Sequence, residues 1–154
     1  LKAYERKLGC KVKETGFLIS KAKPFLGASP DGEVDGGLLE IKRIFPNGLS
    51  LCKAVCKQGI CKELCGGLEV NKRHKFYYQI QLQMYCAEVI WTDLVLSDLH
   101  DMIILHVKKC DHFLSDVIPK LERFYDQHVA PELAYPRVAN GHVRLSKFID
   151  VRNL

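Results

Sequence analysis

The sequence predicts an α/β domain in which helices flank a central mixed sheet. Three observations carry this reading. Asp35-Gly36-Gly37 is a tight-turn signal between two apolar stretches, and it predicts a hairpin. Residues 89–96 and 102–107 are rich in β-branched and aromatic side chains, as strands are. Residues 74–87 and 111–130 repeat their apolar residues at helical spacing.

Taken in order, residues 1–8 read as the end of a helix stopped by Gly9. Residues 11–20 suggest a strand with Val12, Phe17 and Ile19 on its apolar side. The hairpin follows, with arms over residues 25–29 and 38–43. Pro46-Asn47-Gly48 breaks the chain, and Leu51 and Val55 then stand at helical spacing within 49–58. Gly66-Gly67 marks a turn into a short strand over 68–70. The helix over 74–87 has Phe76, Ile80, Met84 and Ala87 as its apolar stripe, with Gln79 and Gln83 one turn apart on another face. Trp91 belongs to the core of the strand that follows, and residues 97–101 connect the last two strands. The helix over 111–130 turns Phe113, Val117, Leu121, Phe124 and Tyr125 inward, with Pro119 as a kink or boundary. Pro131 and Pro136 end the pattern. The expected organisation is one domain over residues 1–134 and a loosely packed or partner-dependent tail over 135–154.

The chemistry concentrates in the hairpin. Glu40 and Lys42 are two apart on a strand and share a face, while Leu39 and Ile41 point the other way. A hairpin returns Asp31 to the side of Glu40. Two carboxylates at close range repel unless a cation lies between them, and hard oxygen ligands suit Mg²⁺ or Mn²⁺. Lys42 then orients a water or holds charge developing on a phosphate oxygen, which is metal-assisted phosphodiester hydrolysis. A turn at Asp31-Gly32 beside a solvated Glu40–Lys42 pair is the bland alternative. Against it, the strand is otherwise apolar, and a charged pair inside such a strand needs a reason.

The ordered segments Leu26-Gly27-Ala28-Ser29-Pro30-Asp31-Gly32, Leu39-Glu40-Ile41-Lys42 and Tyr77-Tyr78-Gln79-Ile80-Gln81-Leu82-Gln83-Met84 resemble the core of the PD-(D/E)XK nuclease superfamily, which has a restriction-endonuclease-like fold. More narrowly, they are similar to the YqaJ-type viral recombinase family, relatives of phage lambda exonuclease and herpesvirus alkaline nuclease. The resemblance covers roughly residues 1–134. It implies a Mg²⁺-dependent DNA exonuclease that resects duplex ends for recombination or repair. It implies Asp31 and Glu40 as metal ligands together with the Ile41 carbonyl, Lys42 as the catalytic lysine, and Gln79 as the helix glutamine supporting the site. It places Ser29, Tyr78 and Gln81 at the substrate. Arg43 stands where relatives carry a cysteine, and it offers a phosphate contact. The family's N-terminal helix carries a further acidic metal ligand, which by this alignment falls before Leu1, since Glu5 is about two turns out of phase. A truncated domain with an incomplete metal site is therefore expected. The alternative function is a nucleic-acid-binding or assembly module that keeps the nuclease fold without turnover. DNA is the expected partner, and the resemblance extends to a single-strand annealing recombinase and to homo-oligomers.

Charge distribution agrees with a DNA partner. The net charge is +5, but residues 1–30 hold +5, residues 31–48 hold −2, residues 49–75 hold +4 and the remainder −2. An acidic centre is thus flanked by basic segments, which suits a metal site among phosphate contacts and equally suits Lys11, Lys13, Lys21 and Lys23 as solubilising residues on exposed strands. Seven cysteines with no evident pairing read as reduced thiols of an intracellular protein. Cys52, Cys56, Cys61 and Cys65 raise zinc or an iron–sulfur cluster, but they lack C-x2-C pairs, and structural thiols are favoured. The six histidines are scattered without metal-ligand spacing, and each reads as a surface or helix-end residue. No apolar run is long enough to span a membrane.

Overall fold

A computed structural model describes residues 1–98 and 100–143. The chain forms two compact units, Leu1–Cys110 and Asp111–Leu154. In the first unit, α1 (Lys2–Leu8) precedes the short strands β1 (Leu18–Ile19) and β2 (Gly27–Ala28). Next come β3 (Gly32–Val34), β4 (Gly37–Arg43), α2 (Leu51–Lys57), β5 (Cys61–Leu64), β6 (Gly67–Val70) and α3 (Lys75–Ala87). The unit closes with β7 (Trp91–Ser97) and β8 (Met102–Lys108). The main sheet has the order β3-β4-β7-β8. β4 and β7 are parallel and the outer pairs are antiparallel, so the expected mixed sheet is found. The parallel β4–β7 connection carries α2, the β5–β6 hairpin and α3, as a parallel pair requires a long crossover.

The two-residue turn Asp35-Gly36 sets the first register. Its φ values, 46° and 79°, are both positive, the signature of a type I′ hairpin turn. The hairpin arms are therefore β3 and β4, paired Gly32↔Leu39 through Val34↔Gly37. This corrects the expected arms, because residues 25–29 do not pair with 38–43. β2 instead pairs antiparallel with β1. The strand expected over residues 11–20 also shrinks to β1 and an isolated Lys13–Glu33 bridge. Of its apolar side, Val12 packs against the core, while Phe17 and Ile19 are exposed. Phe17 lays its ring on Gly27, where a β-carbon would stand 2.2 Å from it. Trp91, expected in the core, is half-buried and covers Gly37 in the same way.

Main-chain alternation divides β4 between two faces. Leu39 joins Tyr4, Val34 and Val95 in a buried cluster on the α1 side, with Ile41 packed against it. Leu38, Glu40 and Lys42 face the other side, opposite α3. α3 buries Tyr77, Ile80, Gln81, Gln83, Met84 and Cys86, a broader and more polar face than the stripe read from its periodicity. β5 was not read from the sequence; its burial pattern is largely exposed, so no apolar alternation marks it.

In the second unit the expected helix over 111–130 is α4 (Asp111–Phe124), a π-helical turn (Tyr125–Val129) and α5 (Ala130–Ala134). Pro119 lies inside α4, and Pro131 opens α5 rather than ending the pattern. Leu114 and Ile118 are the buried positions, and Phe124 is exposed rather than inward. From residue 144 on, the expectation of a tail concerns residues outside those described. No helix among the described residues is long and apolar enough to cross a membrane.

Candidate active site

Glu40 is the centre of the site. Its side chain is only 3% exposed, and charge so deep in a sheet must be compensated. Three donors do this. Lys42 Nζ and Gln79 Nε2 donate to Oε1 at 2.5 and 2.7 Å, and Gln83 Nε2 donates to Oε2 at 2.7 Å. β4 supplies the first because residues 40 and 42 share a face. α3 supplies the other two because residues one turn apart share a stripe. A carboxylate accepts about four hydrogen bonds, so these three leave Glu40 one further lone pair. Gln83 was singled out in the sequence only as a neighbour of Gln79. Its role needs the α3–β4 packing, which no spacing within the helix reveals.

Asp31 stands one residue before β3. Its N–H donates to the Leu39 carbonyl at 3.0 Å, extending the ladder by one rung. Its Oδ2 accepts the Ile41 N–H at 2.7 Å. Leu39 and Ile41 turn their main-chain groups to the same side of β4. β3 covers Leu39 but does not reach Ile41, so Ile41 lies on an open edge with Asp31 beside it. The Ile41 carbonyl shares that edge. Asp31, Glu40, Ile41, Lys42 and Gln79 thus converge, by a different hairpin from the one expected. Among the described residues, no three His, Cys, Asp or Glu side chains group to hold a metal ion. Glu5 accepts the Val12 N–H at 3.0 Å, a local bond that ties α1 to the following loop.

The remaining expected residues divide. Ser29, Arg43 and Tyr78 are exposed. Gln81 is not available to substrate: it is fully buried, donates to the Lys108 carbonyl at 2.9 Å and accepts the Cys110 N–H at 2.8 Å. Both ends of its amide are spent tying the end of β8 to α3. Of the cysteine quartet, Cys61 is buried, and its thiol is pushed up to about 11 by burial and then by Cys56 and Cys52.

Two histidines have roles their spacing did not show. His106 Nδ1 lies 2.8 Å from Asp93 Oδ1, and Tyr4 donates its hydroxyl to Asp93 Oδ2 at 2.6 Å. Asp93 pairs in register with Leu39, so this cluster sits on the face away from Glu40 and anchors α1 to the sheet. Burial, then the Asp93 bond, raises the Tyr4 phenol well above its ordinary range. His74 caps α3 by accepting the Phe76 N–H on Nδ1 at 3.2 Å, which requires that nitrogen to be unprotonated. Burial, then Lys75, lowers the His74 pKa. A histidine with a lowered folded value binds fewer protons folded than unfolded, so its contribution is complete above about pH 6.5 and is lost as pH falls below that. The melting temperature should therefore fall between pH 7 and 5, and His74→Asn, which still caps, should weaken that dependence. An Asn variant with the parent's full pH slope would exclude His74 as the source.

Fold and site together describe an α/β domain of exonuclease type. The chain belongs to the YqaJ-like viral recombinase domain family, whose model matches residues 1–90. Among solved structures it is similar to an alkaline exonuclease, LHK-Exo, from Laribacter hongkongensis. The identity is 25% and the TM-score 0.67, over 91% of this chain and 68% of that one. A structure of LHK-Exo in complex with dAMP matches at 25% identity and TM-score 0.68, over 91% of this chain and 67% of that one. No curated protein sequence matches this chain.

Proposed function

We propose that this chain is a metal-dependent deoxyribonuclease of the PD-(D/E)XK type, acting as an exonuclease on DNA ends with Mg²⁺ or Mn²⁺. The observation that carries it is the buried Glu40 carboxylate, bound by Lys42, Gln79 and Gln83, next to Asp31 at the open edge of β4. Asp31, the free lone pair of Glu40 and the Ile41 carbonyl form a hard-oxygen set. Mg²⁺ commonly takes one or two carboxylates and completes its shell with water and phosphate, so this set fits it. A bound ion would supply polarisation of the scissile phosphate and a water of lowered pKa. Lys42 orients that water from the ring side of Phe76 and offsets charge on the phosphate. Gln79 and Gln83 hold the Glu40 carboxylate in one orientation. Ser29, Arg43 and Tyr78 stand at the surface for the DNA strand.

The named relative is an alkaline exonuclease with a dAMP complex, and DNA is accordingly the substrate class proposed here. A single-strand annealing recombinase as partner and self-assembly belong to the same reading. All seven cysteines are free, which supports a reducing intracellular compartment. The absence of a third acidic donor among the described residues favours a second reading, a DNA-binding module that keeps the fold without turnover.

Cleavage of linear duplex DNA decides between them. Release of nucleotides is expected in Mg²⁺ or Mn²⁺, with complete loss in EDTA and recovery on adding the ion back. DNA binding without any metal-dependent release would establish the second reading.

A further inference from the structure

Beside the proposed reacting centre lies a cleft of about 300 Å³ whose lining includes Arg43, Phe45, His74, Lys75 and Phe76. Its two cations are held by aromatic rings rather than by acids. Among the described residues neither Arg43 nor Lys75 has a carboxylate partner. Arg43 rests on the Phe45 ring at 5.2 Å, and Lys75 on the Phe76 ring at 5.7 Å. Aromatic faces hold a cation in place without neutralising it. Three other surface lysines are, by contrast, paired with acids: Lys13 with Glu33, Lys21 with Glu88 and Lys120 with Asp116.

Position gives these cations a meaning. Lys42 Nζ lies 5.2 Å from the centroid of the same Phe76 ring that carries Lys75. Phe76 therefore bridges the proposed catalytic ammonium and the cleft. Arg43 directly follows Lys42 on β4, and neither residues 42–48 nor residues 70–76 contain an acid. A polyanion whose scissile phosphate meets Lys42 would bring its next phosphate into an uncompensated positive field. Arg43 adds a planar fork of donors suited to phosphate oxygens.

We propose that Arg43 and Lys75 form a subsite for a DNA backbone phosphodiester neighbouring the scissile one, and that this subsite sets the position of the strand relative to Lys42. It rests on the assignment of Lys42 to the reacting centre, and its test separates the two. Binding of a duplex oligonucleotide in EDTA is measured by fluorescence anisotropy across NaCl concentrations, and kcat and KM are measured in Mg²⁺. Arg43→Gln with Lys75→Gln should weaken binding about tenfold at low salt and flatten the slope of log Kd against log salt by roughly 1 to 2. KM should rise in proportion, with kcat changing less. The pair Lys53→Gln and Lys57→Gln, on an exposed face of α2, controls for net charge.

Three results would overturn the subsite. One is an unchanged Kd and salt slope in a folded Arg43/Lys75 variant. Another is an equal loss in the Lys53/Lys57 control. The last is a loss confined to duplexes with a 5′-phosphate rather than a 5′-hydroxyl, which would assign an end-group site instead of a backbone diester. If the parent binds through the pair but does not cleave, the subsite stands and the nuclease reading fails.

Discussion

Lys42→Ala is expected to lower metal-dependent DNA cleavage by at least about 10³-fold, because it removes the group that orients the water and holds developing charge. It should also destabilise the protein. Glu40 is almost wholly buried, and Lys42 is its cationic partner, with two neutral amides supplying the other bonds. Removing one partner of a buried pair typically costs about 3–5 kcal/mol. Lys42 keeps 22% of its side chain in water, which places the expected loss at the low end of that range. Asp31→Asn should separate activity from stability. Asp31 is exposed, and an amide oxygen can still accept the Ile41 N–H, so stability should stay within about 0.5 kcal/mol of the parent. Cleavage should nonetheless fall as far as in Lys42→Ala, since a neutral amide is a poor ligand for a hard cation. Thermal unfolding and nucleotide release, measured on both variants, check the pattern. Parent-like cleavage by either one would show that the site has been placed wrongly.

Gln83→Glu should also destabilise the protein strongly, through charge alone. The two side chains are nearly the same shape, so packing is preserved. The substitution sets a second carboxylate where a donor now meets Glu40 Oε2 at 2.7 Å, with both residues buried. Two such carboxylates cannot both stay ionised, and one takes a proton. Holding a carboxyl protonated about two units above its unfolded value costs about 3 kcal/mol at neutral pH. The sign follows from the raised folded value: the penalty is present above the unfolded carboxyl range near pH 4.3 and shrinks as pH falls towards it. The difference in unfolding free energy between variant and parent should narrow steadily from pH 7 to pH 5. A difference that does not change with pH would mean that the Gln83 amide does not face a charged Glu40.

The fold class and the chemical core were legible because they depend on local rules. The Asp35-Gly36 turn has the residues its positive φ values require, and two-residue alternation puts Glu40 and Lys42 on one face whatever pairs with them. The helix with Gln79 announces itself by its period. The strand partners were harder. Residues 25–29 are apolar enough to read as an arm of the hairpin, yet a two-residue turn at Asp35-Gly36 admits only residues 32–34 opposite Gly37, Leu38 and Leu39. β1 and β2 are two residues each, too short to show a period. The surroundings of Gln81 are hidden from the sequence for a related reason. Its neighbours Gln79 and Gln83 turn to Glu40, and only the path of β8 shows that Gln81 meets main-chain groups at Lys108 and Cys110.

Sequence alone pointed to the mixed α/β class and the family, and singled out Asp31, Glu40, Lys42 and Gln79 as candidates, through turn chemistry, periodicity and ordered motifs. Tertiary structure decided what compensates Glu40, where the edge beside Ile41 opens, and that Arg43 and Lys75 meet at one cleft. Those features depend on contacts between segments about 30 to 40 residues apart, such as Gln79 and Gln83 on Glu40. A local pattern constrains which way a side chain points along its own element. The partner it meets there is set by packing and register, and with it whether a buried charge is neutralised or left for a ligand.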